Sequence, residues 1–154
     1  MKKIMLAIKP VWAEKILLKE KTLEIRKRRP ADDGPFKVYI YVTLAKPGWV
    51  RMDNVQLSGR VVGEFICDEI HRISVPYPAY QKELPQWVKD QSCLSYYQLH
   101  RYALASNDCP LYGWHISELV EYKEPIGIDC FLSTSKIGVM RRPPQSWQYV
   151  IRRQ

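Results

Sequence analysis

Two acids, Glu20 and Glu24, interrupt the cations in the segment KEKTLEIRKRRP, residues 19–30. Lys21, Glu24 and Arg26 follow one another at spacings of three and two residues. A carboxylate between an ammonium and a guanidinium group could orient both cations toward an anionic ligand, or act as a general base beside a substrate. The same residues could instead form an exposed ion pair, which is usually worth about 0–1 kcal/mol. The spacing alone favours the exposed pair.

The elements around this segment decide between the two interpretations. Pro10 suits the first turn of a helix, and apolar residues such as Trp12 and Ile16 then recur at helical spacing. This helix is predicted to end near Glu20. The period then changes to that of a strand, which is predicted over residues 22–27.

The change from helical to strand periodicity is expected to place the charged side chains close together. Leu23 and Ile25 are expected to point into the core, so Glu24 and Arg26 project together from the opposite face of the strand. Lys21 lies beside them at the junction between helix and strand. The sequence therefore predicts a local group of three charges.

The remaining elements indicate the fold class. A capping box of Ser95 and Gln98 opens a predicted helix that runs through Leu104, and residues 74–85 are expected to be irregular. Further strands are predicted at residues 4–8, 38–42, 60–67, 114–116, 126–131 and 146–150. Several strands, few helices and no βαβ rhythm predict an α+β fold with a curved, mostly antiparallel sheet. Closure into a small β-barrel flanked by helices would pair the strand edges.

Composition limits the classes of partner. The 154 residues carry a net charge of +8, with 46% hydrophobic residues, and we find no repeat or linker, so one domain is predicted over residues 1–154. The positive charge favours polyanions, first nucleic acid and second an anionic membrane surface, although it could also serve solubility alone. No secretory signal or membrane-spanning apolar stretch is recognised, so a cytoplasmic location is predicted.

Metal and cofactor chemistry finds little support in the sequence. The four cysteines form no Cys-x-x-Cys pair, which argues against a zinc site. His71, His100 and His115 have no partner at metal or triad spacing, and we interpret them as structural. No glycine-rich phosphate loop is present. We therefore predict no metal and no cofactor.

Basic runs and aromatic residues are candidate contacts for nucleic acid. Lys27, Arg28 and Arg29 could follow a phosphate backbone, together with the arginine pairs at 141–142 and 152–153, although such runs are usually solvated surface. Trp49, in a loop after a Pro-Gly pair, is the best exposed stacking candidate. Most aromatic residues could instead be buried in the core rather than exposed for stacking. Burial is predicted for Trp12, on its apolar helical face, and for Trp114, on its strand.

Six segments, taken in order, resemble the ASCH domain family of the PUA-like superfamily. They are KP at 9–10, the helix at 12–18, EKTLEIR at 20–26, YIY at 39–41, VGEF at 62–65 and YGW at 112–114. The core of the match is the pattern of Lys21, Glu24 and Arg26, and residues 74–105 look like an insert without an assigned role. The family often has glycine where this chain has Lys19, which weakens the inference of a tight turn there.

The resemblance implies a β-barrel whose cleft, floored by this charged segment, meets RNA or a nucleobase. Our leading hypothesis is an RNA- or nucleotide-binding module with a basic cleft; no membrane partner is predicted, and a protein partner, for instance through the proline- and tyrosine-rich middle segment, is left open. The predicted contacts are Lys9, Lys21, Glu24, Arg26, Lys27, Arg28, Arg29 and Trp49.

The alternative implied by the resemblance is an enzyme. Some members of the family hydrolyse N-acetylated cytidine with a lysine, a threonine and a glutamate, and the threonine falls where this chain has Glu24. A metal-independent hydrolase, either an amidohydrolase or a ribonuclease, would then use Glu24 as a general base for water, with Lys21 stabilising the oxyanion.

Overall fold

The computed structural model of the chain describes residues 1–32, 34–44, 57–76, 84–105, 110–136 and 138–154. In these ranges the strands are β1 (Lys3–Ile8), β2 (Leu23–Arg26), β3 (Phe36–Val42), β4 (Val61–Cys67), β5 (Ile70–Ile73), β6 (Leu111–His115), β7 (Ser117–Ile126), β8 (Phe131–Ser133) and β9 (Trp147–Arg152). The helices are α1 (Pro10–Leu17), α2 (Gln86–Ser92) and α3 (Tyr96–Leu104), and a short 3-10 helix spans Ile128–Cys130. None of these helices is long and apolar enough to cross a membrane.

The described strands pair in two sheets. The larger has the order β7-β4-β3-β1-β9-β8, and the smaller has the order β2-β6-β5. Strands β1 and β3 run parallel, whereas the other described pairs between these strands are antiparallel. The predicted α+β class with mostly antiparallel sheets is confirmed, and closure into a barrel stays a prediction.

Strand β1 is covered on both of its faces. Ile4, Leu6 and Ile8 belong to the largest apolar cluster, which α1 and the smaller sheet complete. Met5 and Ala7 belong to a second cluster on the opposite face of the sheet. A continuous apolar run is what a strand buried on both faces requires, and it explains why this segment reads as buried throughout.

The predicted insert is part of the core. Val88 of α2 and Leu99 of α3 pack with Leu23 and Ile25 of β2 in a third apolar cluster. The capping box is present, because the Ser95 hydroxyl accepts from the amide of Gln98 and the Gln98 side chain accepts from the amide of Ser95. The helices of residues 74–105 therefore cover the smaller sheet, which the sequence did not indicate.

Helix α1 ends earlier than predicted, at Leu17 rather than near Glu20. Leu18 is 54% exposed, so it does not belong to the apolar face from which the longer helix was predicted. Lys19 has a φ of 61°, in the left-handed region that commonly terminates helices and favours glycine. The tight turn is thus made here without the glycine.

The predicted strand at residues 126–131 is wrong. Strand β7 ends at Ile126, the 3-10 turn follows, and β8 begins at Phe131. The amide of Cys130 donates to the carbonyl of Gly127. A Cβ atom at Gly127 would lie 2.4 Å from Asp129 Oδ1, so the chain folds back on itself at this glycine. Apolar residues alternate with other residues through the turn, and this pattern is also typical of a strand, which explains the wrong prediction.

Candidate functional site

A cavity of about 570 Å³ lies between α1, β2 and α3, near the ends of β1 and β3. This volume is in the range of sites for small ligands. The described lining combines cations, a carboxylate and aromatic rings, namely Lys9, Lys21, Arg26, Arg101, Glu24, Trp12 and Tyr102. The charged group predicted from the sequence therefore lines a concave site.

Lys21, Glu24 and Arg26 form a buried ion-pair network. Lys21 Nζ lies 3.5 Å from Glu24 Oε2, and Arg26 Nη1 donates to Glu24 Oε1 at 3.2 Å. Lys21 is 2% exposed and Glu24 is 5% exposed. The interpretation as an exposed ion pair, which the spacing alone favoured, is therefore wrong. Charges this far from water are tolerated only when they are paired and hydrogen-bonded.

Lys21 is surrounded by groups that accept or attract its charge. Its ammonium donates to the carbonyl of Ser92 at 2.6 Å and lies 5.2 Å from the ring centroid of Trp12. Burial lowers the pKa of Lys21, and the neighbouring carboxylate of Glu24 acts in the opposite direction. The result is a poorly hydrated cation whose position is fixed by groups from three parts of the chain.

Arg26 connects β2 to the larger sheet. Besides its bond to Glu24, Nη1 donates to the carbonyl of Ala7 at 3.3 Å, and Nη2 donates to the hydroxyl of Ser146 at 2.6 Å. Its Nε atom is buried without a hydrogen-bond partner among the described residues. Because three bonds hold the guanidinium, Arg26 keeps the carboxylate of Glu24 in one orientation.

Strand β6 explains the position of β2. In the antiparallel register Glu24 faces Trp114, and Ile25 faces Gly113. A Cβ atom at Gly113 would lie 2.9 Å from both terminal methyl groups of Leu23. The missing side chain lets Leu23 pack fully buried against β6, and this packing fixes Glu24 on the cavity face.

The predicted contacts do not all gather at this cavity. Lys9, Lys21, Glu24 and Arg26 line it. Lys27 does not, but its Nζ lies 4.7 Å from the ring centroid of Tyr102, which does. Two more predicted contacts lie outside the described lining: Arg28 is exposed, and Arg29 donates from Nε to the carbonyl of Pro30. Trp49 lies outside the described residues. The ligand contacts of all these side chains stay predictions.

Helix α3 supplies a wall that the sequence analysis missed. Gln98, Arg101, Tyr102 and Ala105 line the cavity at the spacings of one helical face. The signal was available in the sequence, because this face of a capped helix is polar and aromatic rather than apolar. It was overlooked because nothing local shows that the helix packs beside β2.

Two tryptophans predicted to be buried differ in their surroundings. Trp114 is fully buried, as predicted. Trp12 is only partly buried, and its ring lines the cavity. The apolar face of α1 therefore serves both the core and the site.

The histidines lie outside the described lining of the cavity. His115 Nδ1 is 2.6 Å from Asp68 Oδ1, and His71 Nδ1 is 3.6 Å from Glu69 Oε1, so two of them have carboxylate partners that the sequence spacing did not reveal. His100 stacks on Tyr96. In the described ranges, no group of three or more His, Cys, Asp or Glu side chains could hold a metal ion.

Comparison with known proteins adds information at the level of the fold. No protein-family model and no curated protein sequence matches the chain. The crystal structure of ASCH from Zymomonas mobilis matches it with a TM-score of 0.65 and 19% identity, over 96% of this chain and 87% of that chain. The chain has the ASCH fold.

Two point variants of the same Zymomonas mobilis protein give the same result. The Tyr-to-Phe variant matches with a TM-score of 0.65 and 18% identity, over 97% of this chain and 90% of that chain. The Ser-to-Ala variant matches with a TM-score of 0.64 and 18% identity, over 96% and 87%. The ASCH fold was thus recognised correctly from the six sequence segments.

Proposed function

We propose that the cavity binds a nucleotide of RNA, and that this ASCH-fold protein is an RNA- or nucleotide-binding module. The observation that carries the proposal is the buried group of Lys21, Glu24 and Arg26 on the wall of a cavity that also contains aromatic rings. A site of mixed charge beside aromatic faces suits a ligand that carries both a phosphate and a base.

Each part of the lining has a role in this proposal. Lys9 and Arg101 attract the phosphate, because both are exposed cations at the cavity. Trp12 and Tyr102 offer ring surface for stacking the base. Glu24 accepts hydrogen bonds from the amino or imino edge of the base, since a carboxylate oxygen can accept more than one bond. Arg26 and Lys21 hold that carboxylate in place.

The bonding of Glu24 favours binding over catalysis. Both carboxylate oxygens already face a cation, at 3.2 Å and 3.5 Å. A general base must be free to take a proton and release it, whereas an orienting acceptor benefits from being held. The alternative is the metal-independent hydrolase. It is supported by one observation, namely that a carboxylate and a lysine are adjacent in a cavity of substrate size.

Binding and turnover can be measured on the same variants. Nucleoside monophosphates, N-acetylcytidine and a short single-stranded RNA are titrated against the wild type and Glu24→Gln, and the products are analysed separately. We expect saturable binding without product, and at least about a tenfold weaker affinity for Glu24→Gln, which is the loss of a strong hydrogen bond to the ligand. Glu14→Gln, an exposed position on α1, is the matched control and should bind like the wild type.

Two outcomes would contradict the proposal. If none of these ligands binds, the cavity does not serve a nucleotide. If the wild type hydrolyses a substrate and Glu24→Gln loses turnover by roughly 10²–10⁴-fold with little change in affinity, the site belongs to a hydrolase.

A further inference from the structure

The face of α3 that lines the cavity continues toward the start of the helix. Tyr97 lies four residues before Arg101, so the two side chains are neighbours on one side of the helix. Arg101 lines the cavity, whereas Tyr97 lies one helical turn further out. Tyr97 is 79% exposed, which is a large solvent-facing area for an aromatic ring.

The ring of Tyr97 contacts a neighbouring aromatic ring that is itself held in place. Its ring meets that of Tyr96 edge to face at a centroid distance of 5.5 Å. Tyr96 is held by its hydroxyl, which donates to the carbonyl of Pro76 at 2.7 Å, and by the parallel ring of His100 at 5.6 Å. The ring of Tyr97 thus has one aromatic neighbour, and most of its surface is open to solvent. An open aromatic ring is suited to stacking a base.

Positive charge lies at the edge of the cavity, on the same side of α3 as Tyr97. Arg101 is exposed and has no ion-pair partner among the described residues. Lys27 adds a second positive charge nearby, with its Nζ 4.7 Å from the ring centroid of Tyr102, which lines the cavity. A cation between two stacking surfaces matches the alternation of phosphate and base along a nucleic-acid strand.

The position of Tyr97 suits single-stranded nucleic acid. Its ring is exposed and is not part of the described lining of the cavity. A base on Tyr97 would therefore lie outside the cavity, unstacked from the base inside it. Single-stranded RNA adopts such splayed arrangements readily, and proteins recognise them by stacking.

We propose that α3 forms a second nucleotide subsite, in which Tyr97 stacks the base that follows or precedes the nucleotide in the cavity and Arg101 contacts the phosphate between them. This inference rests on the proposed function, because the first nucleotide must occupy the cavity. It names the ligand class as a single-stranded RNA segment of two or more nucleotides. The helices of residues 74–105 then have a binding role in addition to covering β2.

The test compares the affinities of a nucleoside monophosphate and of the corresponding dinucleotide, measured by calorimetry or fluorescence. Their ratio isolates the second subsite, whereas the monophosphate affinity alone reports on the cavity. We expect the dinucleotide to bind more tightly to the wild type, and Tyr97→Ala to reduce the ratio on the order of 10-fold or more, which is the usual value of one stacked base. Tyr97→Phe keeps the ring and should keep the ratio. Arg101→Gln should weaken both ligands, because Arg101 also lines the cavity. Lys123→Gln, at an exposed position on β7, is its charge control and should change neither affinity.

The possible results separate this inference from the function on which it rests. Equal wild-type affinities for the two ligands would overturn it, as would an unchanged ratio in Tyr97→Ala, which would leave this face of α3 to a protein partner. If the monophosphate and the dinucleotide both fail to bind, the proposed function falls and the second subsite with it. A reduced ratio in Tyr97→Ala, but not in Tyr97→Phe or Lys123→Gln, is the supporting result.

Discussion

The ammonium of Lys21 donates a hydrogen bond of 2.6 Å to the backbone carbonyl of Ser92, 71 residues further along the chain. Ser92 is the last residue of α2, and Cys93 follows it with a φ of 57°. The final carbonyl groups of a helix lack partners within the helix and carry partial negative charge. Lys21 thus supplies both a cation of the site and a cap for α2, and it joins the cavity wall to the covering helices.

The stability of the protein should depend on pH through Lys21. Burial lowers the pKa of this lysine in the folded state below its ordinary value of 10.5. Between the folded-state pKa of Lys21 and its ordinary pKa, the unfolded chain binds more protons than the folded chain. The free energy of unfolding should therefore rise with pH in that window. Lys21→Met keeps a side chain of similar length but removes the group that titrates. Urea unfolding of both proteins from pH 7 to 10.5 should show the wild type gaining stability relative to Lys21→Met, and a constant difference would contradict the prediction.

Removing the charge of Glu24 should destabilise the fold. Glu24→Gln leaves the buried ammonium of Lys21 without a full counter-charge, and loss of one partner of a buried pair typically costs about 3 kcal/mol. The free energy of unfolding at neutral pH is the measurement. Glu14→Gln should change it by less than about 0.5 kcal/mol, as usual for surface positions. A loss for Glu24→Gln as small as that of the control would show that the network contributes no more than an exposed pair.

The left-handed residue after α1 offers a stabilising substitution. Lys19 has a φ of 61°, a conformation that costs a residue with a side chain roughly 1 kcal/mol relative to glycine. Lys19→Gly should therefore raise the free energy of unfolding by about 0.5–1 kcal/mol. Lys19→Ala removes the charge but keeps the Cβ atom, so it should not give this gain. Equal effects of the two substitutions in thermal or urea unfolding would assign the change to the charge instead.

Gly63 allows β4 and β7 to approach each other closely. A Cβ atom there would lie 2.5 Å from the backbone oxygen of Val120, which cannot move without disturbing the sheet. We expect Gly63→Ala to lower the free energy of unfolding by about 1–3 kcal/mol, the usual cost of overpacking. At Gly34 a Cβ atom would meet nothing within 4 Å, so Gly34→Ala is the matched control and should be close to neutral. Comparable losses at both glycines would contradict the steric explanation.

RNA binding should weaken as salt rises. Each phosphate contact with a single strand contributes a slope of about −0.7 in a plot of log affinity against log salt. A strand that contacts Lys9 and Arg101 should thus give a slope of about −1.4 or steeper. Arg101→Gln should make the slope shallower by about 0.7, because one contact is lost. A slope near zero in the wild type would indicate a ligand without phosphate contacts.

Local signals in the sequence were sufficient for the elements that carry the charged group. The helical spacing after Pro10, the alternation of Leu23 and Ile25, and the capping box at Ser95 each depend on residues a few positions apart. Such signals set local geometry and were read correctly. The burial of Glu24 could not be read in this way, because alternation shows which side chains share a face and not what covers that face.

The elements that were missed have weak or misleading local patterns. Strand β7 (Ser117–Ile126) has no fully buried residue and half of its residues are exposed, so its apolar content does not mark it. Strand β5 is only four residues long and contains His71 and Arg72. The turn at Gly127 was read as a strand because apolar residues flank it. In each case long-range pairing or a side-chain contact outweighs the local preference.

The order of the strands also determines when the site can form during synthesis. Strand β1 lies between β3 and β9 in the larger sheet, so one of its edges stays unpaired until residues 147–152 have left the ribosome. Arg26 likewise cannot form its hydrogen bond to the hydroxyl of Ser146 until that residue has been synthesised. An unpaired edge is prone to pair with other chains, so a nascent chain that stalls before residue 146 should be prone to aggregate. It would also lack one of the bonds that hold Arg26, so the cavity wall is complete only after residue 146 has been synthesised.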